Sequence, residues 1–268
     1  MRRLSLIAVA ALCLAACGSP SPQEDAISHH EATIEAPAAS GSADEANWQR
    51  FADNVQVWTH GYKLTMRLGR EAGTPEQRLA DLHAGKAQVA ALEPKAAAAL
   101  VPELSVLSAP QLFDSQAEAD FVLDDTALQQ FQPLFVNKGL RLLGWYDDDW
   151  ADPATRDSYQ AGVVVADNAW FERLPPKERD IFRQAYGSAG EARKASRAAR
   201  RQGQSPVDAT AGPARPAAED DVAALQQQAV AKAGGQASQI YDAIRQAKLR
   251  FMAQEESPAA PVTTLPNP

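Results

Sequence analysis

Cysteine is scarce in this sequence. Among 268 residues there are two, Cys13 and Cys17, and both stand close to the first residue. Cys17 lies in the segment LAACG (14–18), which has the pattern of a lipobox: the chain is cut before the cysteine, whose thiol then carries lipid. Cleavage there would remove Cys13 and acylate Cys17, so no thiol would remain for a disulfide, a metal or a nucleophile. The alternative is an ordinary signal peptide with a chance cysteine.

Long hydrophobic runs are also missing near the start. The run from Leu4 to Leu12 follows Arg2 and Arg3 and is too short to cross a bilayer, so it fits the apolar part of a signal peptide. We therefore expect residues 1–16 to be a signal peptide and residues 17–30 to be a flexible tether. The predicted location is the periplasm, with the protein anchored to the membrane through lipid on Cys17.

Positive charge and catalytic motifs are lacking as well. Lys and Arg number 26 against 34 Asp and Glu, and the net charge of −8 argues against nucleic acid as a partner. The sequence has no nucleophile elbow, phosphate-binding loop, dinucleotide fingerprint or metal-binding helix motif. The adjacent His29 and His30 have no evident third or fourth ligand. We therefore predict no catalytic residue, no metal and no cofactor, in a protein that is not an enzyme.

The sequence does contain a regular alternation of strand and helix patterns from Glu31 to Leu92. Lys63 to Leu68 alternates polar and apolar residues, as in a strand with one buried face, and Ala87 to Leu92 is apolar, as in a strand covered on both faces. Ser42 and Thr74 each precede a helical pattern as capping residues. The order β-α-β-α-β predicts an α/β fold with a parallel-type sheet flanked by helices.

Shorter elements are predicted after this unit. Pro94 opens a short helix, Ser115 caps another, and Pro133 is expected to kink or interrupt a third. Two apolar segments indicate further strands, Leu140 to Trp145 and Gly162 to Ala166.

Four passages carry a family resemblance. They are LHAGKAQVAALEP (82–94), VPELSVLSAPQLF (101–113), KGLRLLGW (138–145) and AGVVVADNAWFERLPPKERDIFRQA (161–185). Their order and spacing resemble the solute receptors of TRAP (tripartite ATP-independent periplasmic) transporters, of the C4-dicarboxylate-binding type. The resemblance implies a periplasmic-binding-protein-like fold of type II, in which two lobes close around a small solute.

The sequence departs from this family between Trp145 and Gly162. Family members carry most of the second lobe there, including an arginine that pairs with the ligand carboxylate. Only Tyr146 to Ala161 remains here, which is too short for a βαβ crossover and resembles a surface loop. We therefore expect an intact first lobe, a reduced second lobe and a helical C-terminal segment. The predicted divisions are 31–150 for the first lobe, 151–202 for the second-lobe remnant and a helix, 203–220 for a linker, 221–256 for C-terminal helices and 257–268 for a disordered tail.

The candidate ligand-binding residues follow two of the predicted strands. They are Glu93, Pro94, Trp145, Tyr146, Asp147 and Arg156. Glu93 lies where a parallel sheet presents its ligand crevice, and it is either an acceptor for a solute or a turn carboxylate at the next helix N-terminus. The aromatic pair either lines a pocket or belongs to the core. Arg156 is the one arginine left to clamp a ligand carboxylate.

Two functional hypotheses follow. The first is a lipid-anchored receptor that captures a small organic acid or related solute for TRAP membrane permease subunits. The second is a non-transporting interaction lipoprotein that keeps the first lobe as a scaffold. The receptor predicts a concave cleft between two lobes, whereas the scaffold predicts a shallow face with exposed aromatics near Trp145 and Trp150.

Overall fold

The structure is a computed structural model that describes residues 31–38, 42–58, 63–150, 158–184 and 219–256. Several predicted features lie outside these residues. They are the signal peptide, the lipidation site Cys17, the tether, Arg156, most of the linker and the tail.

A five-stranded mixed sheet has the strand order β2-β1-β3-β5-β4. The strands are β1 (Glu31–Ala36), β2 (Lys63–Leu68), β3 (Val89–Leu92), β4 (Leu140–Trp150) and β5 (Tyr159–Asp167). β1 pairs in parallel with both β2 and β3, whereas β5 is antiparallel to both β3 and β4. The predicted α/β fold is confirmed, and its first three strands form the expected parallel unit.

Two capped helices make the parallel connections. α1 (Ala43–Trp58) joins β1 to β2, and α2 (Pro75–His83) lies between β2 and β3. The Ser42 hydroxyl accepts a hydrogen bond from the Glu45 amide at 3.1 Å, and the Thr74 hydroxyl accepts one from the Gln77 amide at 3.2 Å. Both capping predictions are therefore confirmed.

The hairpin of β4 and β5 corrects the prediction of a surface loop over Tyr146 to Ala161. β4 continues to Trp150 and β5 begins at Tyr159, so both ends of that stretch are strand. β5 is inserted between β3 and β4, and the segment assigned to a second-lobe remnant thus begins inside the same sheet. All described strands belong to this one sheet.

The remaining helices surround the sheet. They are α3 (Pro94–Leu100), α4 (Gln116–Val122), α5 (Leu128–Val136), α6 (Asn168–Arg173), α7 (described over 176–184), α8 (Glu219–Ala233) and α9 (Ala237–Glu256). A 3₁₀ turn over Pro102–Ser108 connects α3 toward α4, and a π-helical turn over Leu123–Ala127 connects α4 to α5. Of the two alternatives predicted at Pro133, a kink or an interruption, the interruption is wrong, because α5 is continuous through Pro133 and the irregular turn comes earlier.

The helices cover the two faces of the sheet with separate hydrophobic clusters. α1, α6 and α7 pack on one face, where Phe51, Phe171 and Phe182 are buried. α2 to α5 and the C-terminal pair α8 and α9 pack on the other face, where Phe131 and Ile244 are buried. The C-terminal helices therefore belong to the core of the same lobe.

Candidate functional site

The candidate site lies at the edge of the sheet where the parallel strands end. β3 ends at Leu92, so Glu93 and Pro94 follow directly at this edge. β5 runs in the opposite direction, with Leu92 opposite Val163, and its residues Gln160 and Ala161 therefore extend past the end of β3. Ligands of open α/β sheets bind outside the carboxyl ends of strands, so a ligand crevice is expected at this edge.

Arg78 of α2 is a buried cation that sequence reasoning missed. Its side chain is 1% exposed. Its Nε donates to the Ala91 carbonyl at 2.8 Å, its Nη1 donates to the Gly73 carbonyl at 2.7 Å, and its Nη2 donates to Glu93 Oε2. The signal was available, since Arg78 stands four residues before the inward-facing Leu82 and so shares its helix face.

Glu93 is held in place by this guanidinium. It is the N-cap residue of α3, yet its side chain makes no capping hydrogen bond. Its carboxylate pairs with Arg78 and remains 35% exposed. Arg78 contacts the Oε2 atom of Glu93, and no described residue contacts its Oε1 atom. Oε1 can therefore accept a hydrogen bond from a solute. Its place at the N-cap of α3 also agrees with the alternative of a turn carboxylate at that helix N-terminus.

A groove of about 400 Å³ opens beside Pro94. Its walls come from three elements: α3, the 3₁₀ turn and the start of β5. They are formed by Pro94, Lys95, Ala98, Leu104, Ser105, Ser108, Gln160 and Ala161. The volume lies within the range of small-molecule sites.

The polar groups of this groove offer both donors and acceptors. Lys95 and Gln160 are exposed and can donate to an anion. The Ser105 hydroxyl donates to the Pro102 carbonyl at 2.7 Å, and the Ser108 hydroxyl donates to the Tyr159 carbonyl at 2.9 Å. Both serine oxygens therefore present lone pairs and no free proton. The arrangement suits a small solute with one anionic group and several hydroxyls.

Trp145 and Tyr146 do not form a common pocket wall. Trp145 is 2% exposed, its indole N–H donates to the Leu123 carbonyl at 2.7 Å, and its ring lies 5.8 Å from Phe131. Tyr146 lies on the opposite face of the sheet, with its ring 5.9 Å from Trp48. Successive residues of a strand point to opposite faces, which explains the separation. Trp145 thus follows the core-packing alternative.

The structure gives no side-chain position for the other predicted site residues. Asp147 belongs to β4, and its side chain is not described. Arg156 and Cys17 lie outside the described residues. Among the predicted ligand-binding residues whose side chains are described, Glu93 and Pro94 are adjacent at this edge.

A buried carboxylate lies on β1 of the same sheet. Glu35 of β1 is 1% exposed and accepts a hydrogen bond from Arg67 Nη1 at 2.8 Å. Its Oε2 is buried without a hydrogen-bond partner among the described residues. Burial raises the pKa of the Glu35 carboxyl above its ordinary value of 4.5, although the hydrogen bond from Arg67 opposes this.

The described residues hold no cluster of three or more His, Cys, Asp or Glu side chains placed to bind a metal ion. None of the described helices is both long enough and apolar enough to cross a bilayer.

Sequence comparison provides little information on this chain. No protein-family model matches it. The uncharacterized protein y4mM of Sinorhizobium fredii is 31% identical over 157 residues, which make up 58% of this chain. The chain spans only 29% of the length of that relative.

Comparison with solved structures is much more informative. A TRAP periplasmic solute binding protein from Ochrobactrum anthropi, with its C-terminus bound in the ligand-binding pocket, aligns with a TM-score of 0.65 at 15% identity, over 87% of this chain and 100% of that one. The sugar acid binding protein DctPAm from Advenella mimigardefordensis, solved with galactonate, aligns with a TM-score of 0.65 at 18% identity, over 81% and 98%. A TRAP protein from Desulfovibrio desulfuricans, with bound sn-glycerol-3-phosphate, has a TM-score of 0.64 at 12% identity, over 81% and 99%. These alignments confirm the predicted type II architecture, and the chain has the fold of the TRAP periplasmic solute-binding proteins.

Proposed function

We propose that this protein is an extracytoplasmic receptor that captures a small hydroxylated organic acid for a TRAP-type membrane permease. The observation that carries the proposal is the groove at the carboxyl end of β3. There Lys95 supplies a cation, and Ser105 and Ser108 supply acceptors. Glu93, oriented by Arg78, adds a fixed carboxylate at the same edge.

The chemistry of the groove selects a carboxylate or phosphate with neighbouring hydroxyls. An anion pairs with the Lys95 ammonium, and a charge-assisted hydrogen bond of this kind is stronger than a neutral one. Hydroxyl groups of the solute donate to the oxygens of Ser105 and Ser108. Three of the structural neighbours were solved with galactonate, sn-glycerol-3-phosphate and D-glucuronate, all of which are small anions with several hydroxyls.

The cellular setting is part of the same proposal. The lipobox at Cys17 would tether the receptor to the membrane by acylation, and the permease subunits would be its membrane partners. Metabolic labelling with a radioactive fatty acid tests the anchor: the wild-type protein should be labelled and Cys17→Ala should not. Absence of label from the wild type, or equal labelling of the two proteins, would contradict lipid anchoring at Cys17.

Isothermal titration calorimetry tests the binding function. The purified protein is titrated with galactonate, D-glucuronate, sn-glycerol-3-phosphate and a C4-dicarboxylate. Saturable binding of at least one is expected, and Lys95→Gln should weaken it by about 10- to 100-fold because a charged hydrogen bond is lost. Lys138→Gln is the matched control, since Lys138 is exposed and precedes the first residue of β4, at the opposite edge of the sheet. Equal affinity of Lys95→Gln and the wild type would contradict the assigned groove.

The interaction lipoprotein is the second candidate. It is favoured by the placement of every described strand in a single sheet, on which α8 and α9 pack as part of the core. The burial of Trp145 and Trp150 does not favour it, because that hypothesis expects exposed aromatics. A folded protein that binds none of the acids tested would favour the scaffold over the receptor.

A further inference from the structure

A second cavity, which shares no lining residue with the groove at Pro94, lies between α9 and the turn after the 3₁₀ segment. Its volume is about 490 Å³, within the range of small-molecule sites. Leu112 and Asp114 form one wall, Gln226 of α8 contributes to another, and α9 supplies the rest. It takes no part in the proposed receptor function.

Two opposite charges face this cavity from neighbouring turns of α9. Asp242 and Arg245 are three residues apart, so they lie on one face of the helix, and both are exposed. Asp242 forms no ion pair or hydrogen bond with another described residue. The Arg245 guanidinium lies 5.9 Å from the Tyr241 ring, which holds it over an aromatic face without neutralising it.

The second cation of the cavity, Lys248, is already neutralised by the protein. Lys248 donates to the Leu112 carbonyl and lies 3.3 Å from Asp114 and 3.5 Å from Glu118. Gln226 and Tyr241 are also fixed, because the tyrosine hydroxyl donates to the Gln226 carbonyl oxygen and the Gln226 amide donates to Pro110 at 2.8 Å. The charged groups left to bind a solute are therefore one carboxylate and one guanidinium, and the exposed amide of Gln246 lies in the same cavity.

An apolar surface adjoins these charges. Leu249 and Met252 line the same cavity one and two turns further along α9, and they are 59% and 49% exposed. Exposed apolar side chains beside convergent polar groups are typical of a site for an amphipathic molecule. A sugar acid would leave this apolar surface uncovered.

We propose that this cavity binds a small zwitterion of the apolar α-amino acid class. The solute carboxylate pairs with Arg245, its ammonium pairs with Asp242, and its side chain covers Leu249 and Met252. An α-amino acid carries its ammonium, its carboxylate and its aliphatic side chain on one carbon. These three groups match the order of Asp242, Arg245 and the apolar pair along α9. The site is independent of the proposed receptor groove.

Calorimetry with leucine and two analogues tests the assignment. Leucinol lacks the carboxylate and 4-methylpentanoate lacks the ammonium, so each should bind at least about tenfold more weakly than leucine. Arg245→Gln should weaken the binding of leucine by a similar factor and leave the affinity for leucinol unchanged. Asp242→Asn should weaken the binding of leucine and leave the affinity for 4-methylpentanoate unchanged. Lys232→Gln, an exposed charge of α8 outside the cavity, is the control and should bind leucine like the wild type.

The result also separates this site from the receptor groove. Lys95→Gln should bind leucine normally, because Lys95 does not line the cavity at α9. No saturable leucine binding by the folded wild-type protein, or equal binding by leucine and leucinol, would overturn the proposal. So would loss of leucine binding in Lys95→Gln with full binding in Arg245→Gln, since that pattern places the amino acid in the groove at Pro94.

Discussion

At the scale of single residues, Arg78 is the side chain on which the geometry of the sheet edge depends most. It satisfies the carbonyls of Gly73 and Ala91 and orients Glu93. Arg78→Met would leave these acceptors unpaired next to the core. We expect the free energy of unfolding to fall by about 2–4 kcal/mol, less than for a wholly buried pair because Glu93 is partly exposed.

Urea denaturation measures this loss, with Arg179→Met as the control. Arg179 pairs with Glu172 at 2.6 Å on a partly exposed surface, so its removal should cost no more than about 1 kcal/mol. Similar losses in the two variants would show that Arg78 has no special role at the edge.

Glu35 gives a prediction about pH. Burial raises the pKa of its carboxyl, so the folded protein keeps a proton that the unfolded chain has already released. The protonated Glu35 carboxyl therefore stabilises the folded protein at low pH. This stabilisation is lost as the pH rises above the ordinary pKa of 4.5 and through the higher pKa of the folded protein. The charged groups that face Glu35 are Arg67, Arg78 and Asp81.

Urea denaturation of the wild type and Glu35→Gln between pH 4 and pH 7 tests this sign. The free energy of unfolding should become relatively larger for Glu35→Gln as the pH rises, because glutamine has no proton to lose. Burial also raises the pKa of Glu118, but that contribution is common to both proteins and cancels. Glu31→Gln, at an exposed position of the same strand, is the control. A difference in free energy of unfolding between the wild type and Glu35→Gln that stays constant across the pH range would refute the prediction.

At the scale of elements, the insertion of β5 between β3 and β4 depends on close backbone contact at Gly162. A Cβ atom there would lie 2.6 Å from the Leu92 carbonyl oxygen and 2.7 Å from the Tyr146 carbonyl oxygen. Real Cβ atoms do not approach backbone oxygens so closely, and both neighbours belong to paired strands. The three strands would have to separate to accept any side chain.

We therefore expect Gly162→Ala to lower the free energy of unfolding by about 3 kcal/mol. Gly139→Ala is the matched control: its φ is +75°, but a Cβ there meets no atom within 4 Å, so only backbone strain of about 1 kcal/mol applies. Thermal unfolding followed by circular dichroism distinguishes the two. A Gly162→Ala protein as stable as Gly139→Ala would mean that the sheet adjusts at little cost.

At the scale of the whole molecule, local signals in the sequence predicted most helices and strands. The pairing of strands that are distant in the sequence was not predicted. The Ser42, Thr74 and Ser115 caps are all present, because a cap depends on residues three positions apart. The place of β5 beside β3 depends on pairs such as Leu92 with Val163, which no local pattern encodes. The separation of Trp145 from Tyr146 was predictable from strand alternation, whereas the partners of Arg78 required the tertiary structure.

The C-terminal helices provide a test of how the whole chain folds. The sequence predicts them as a segment after a linker, yet Ile240, Ile244 and Ala247 of α9 are buried in the same cluster as Phe131 and Trp145. Every tryptophan lies at or before Trp170, so no fluorescent side chain belongs to α8 or α9, whereas circular dichroism reports on these helices directly.

If the helices and the sheet form one cooperative unit, Ile244→Ala should lower the urea midpoint equally by both signals. The expected loss is about 2–4 kcal/mol, because a buried aliphatic side chain leaves a cavity in the shared core. Leu249→Ala is the control on the same helix, and its exposed side chain should change the stability by less than about 0.5 kcal/mol. An Ile244→Ala transition that shifts by circular dichroism while tryptophan fluorescence stays unchanged would mean that α8 and α9 unfold separately. The sheet would then keep the groove at Pro94 without them.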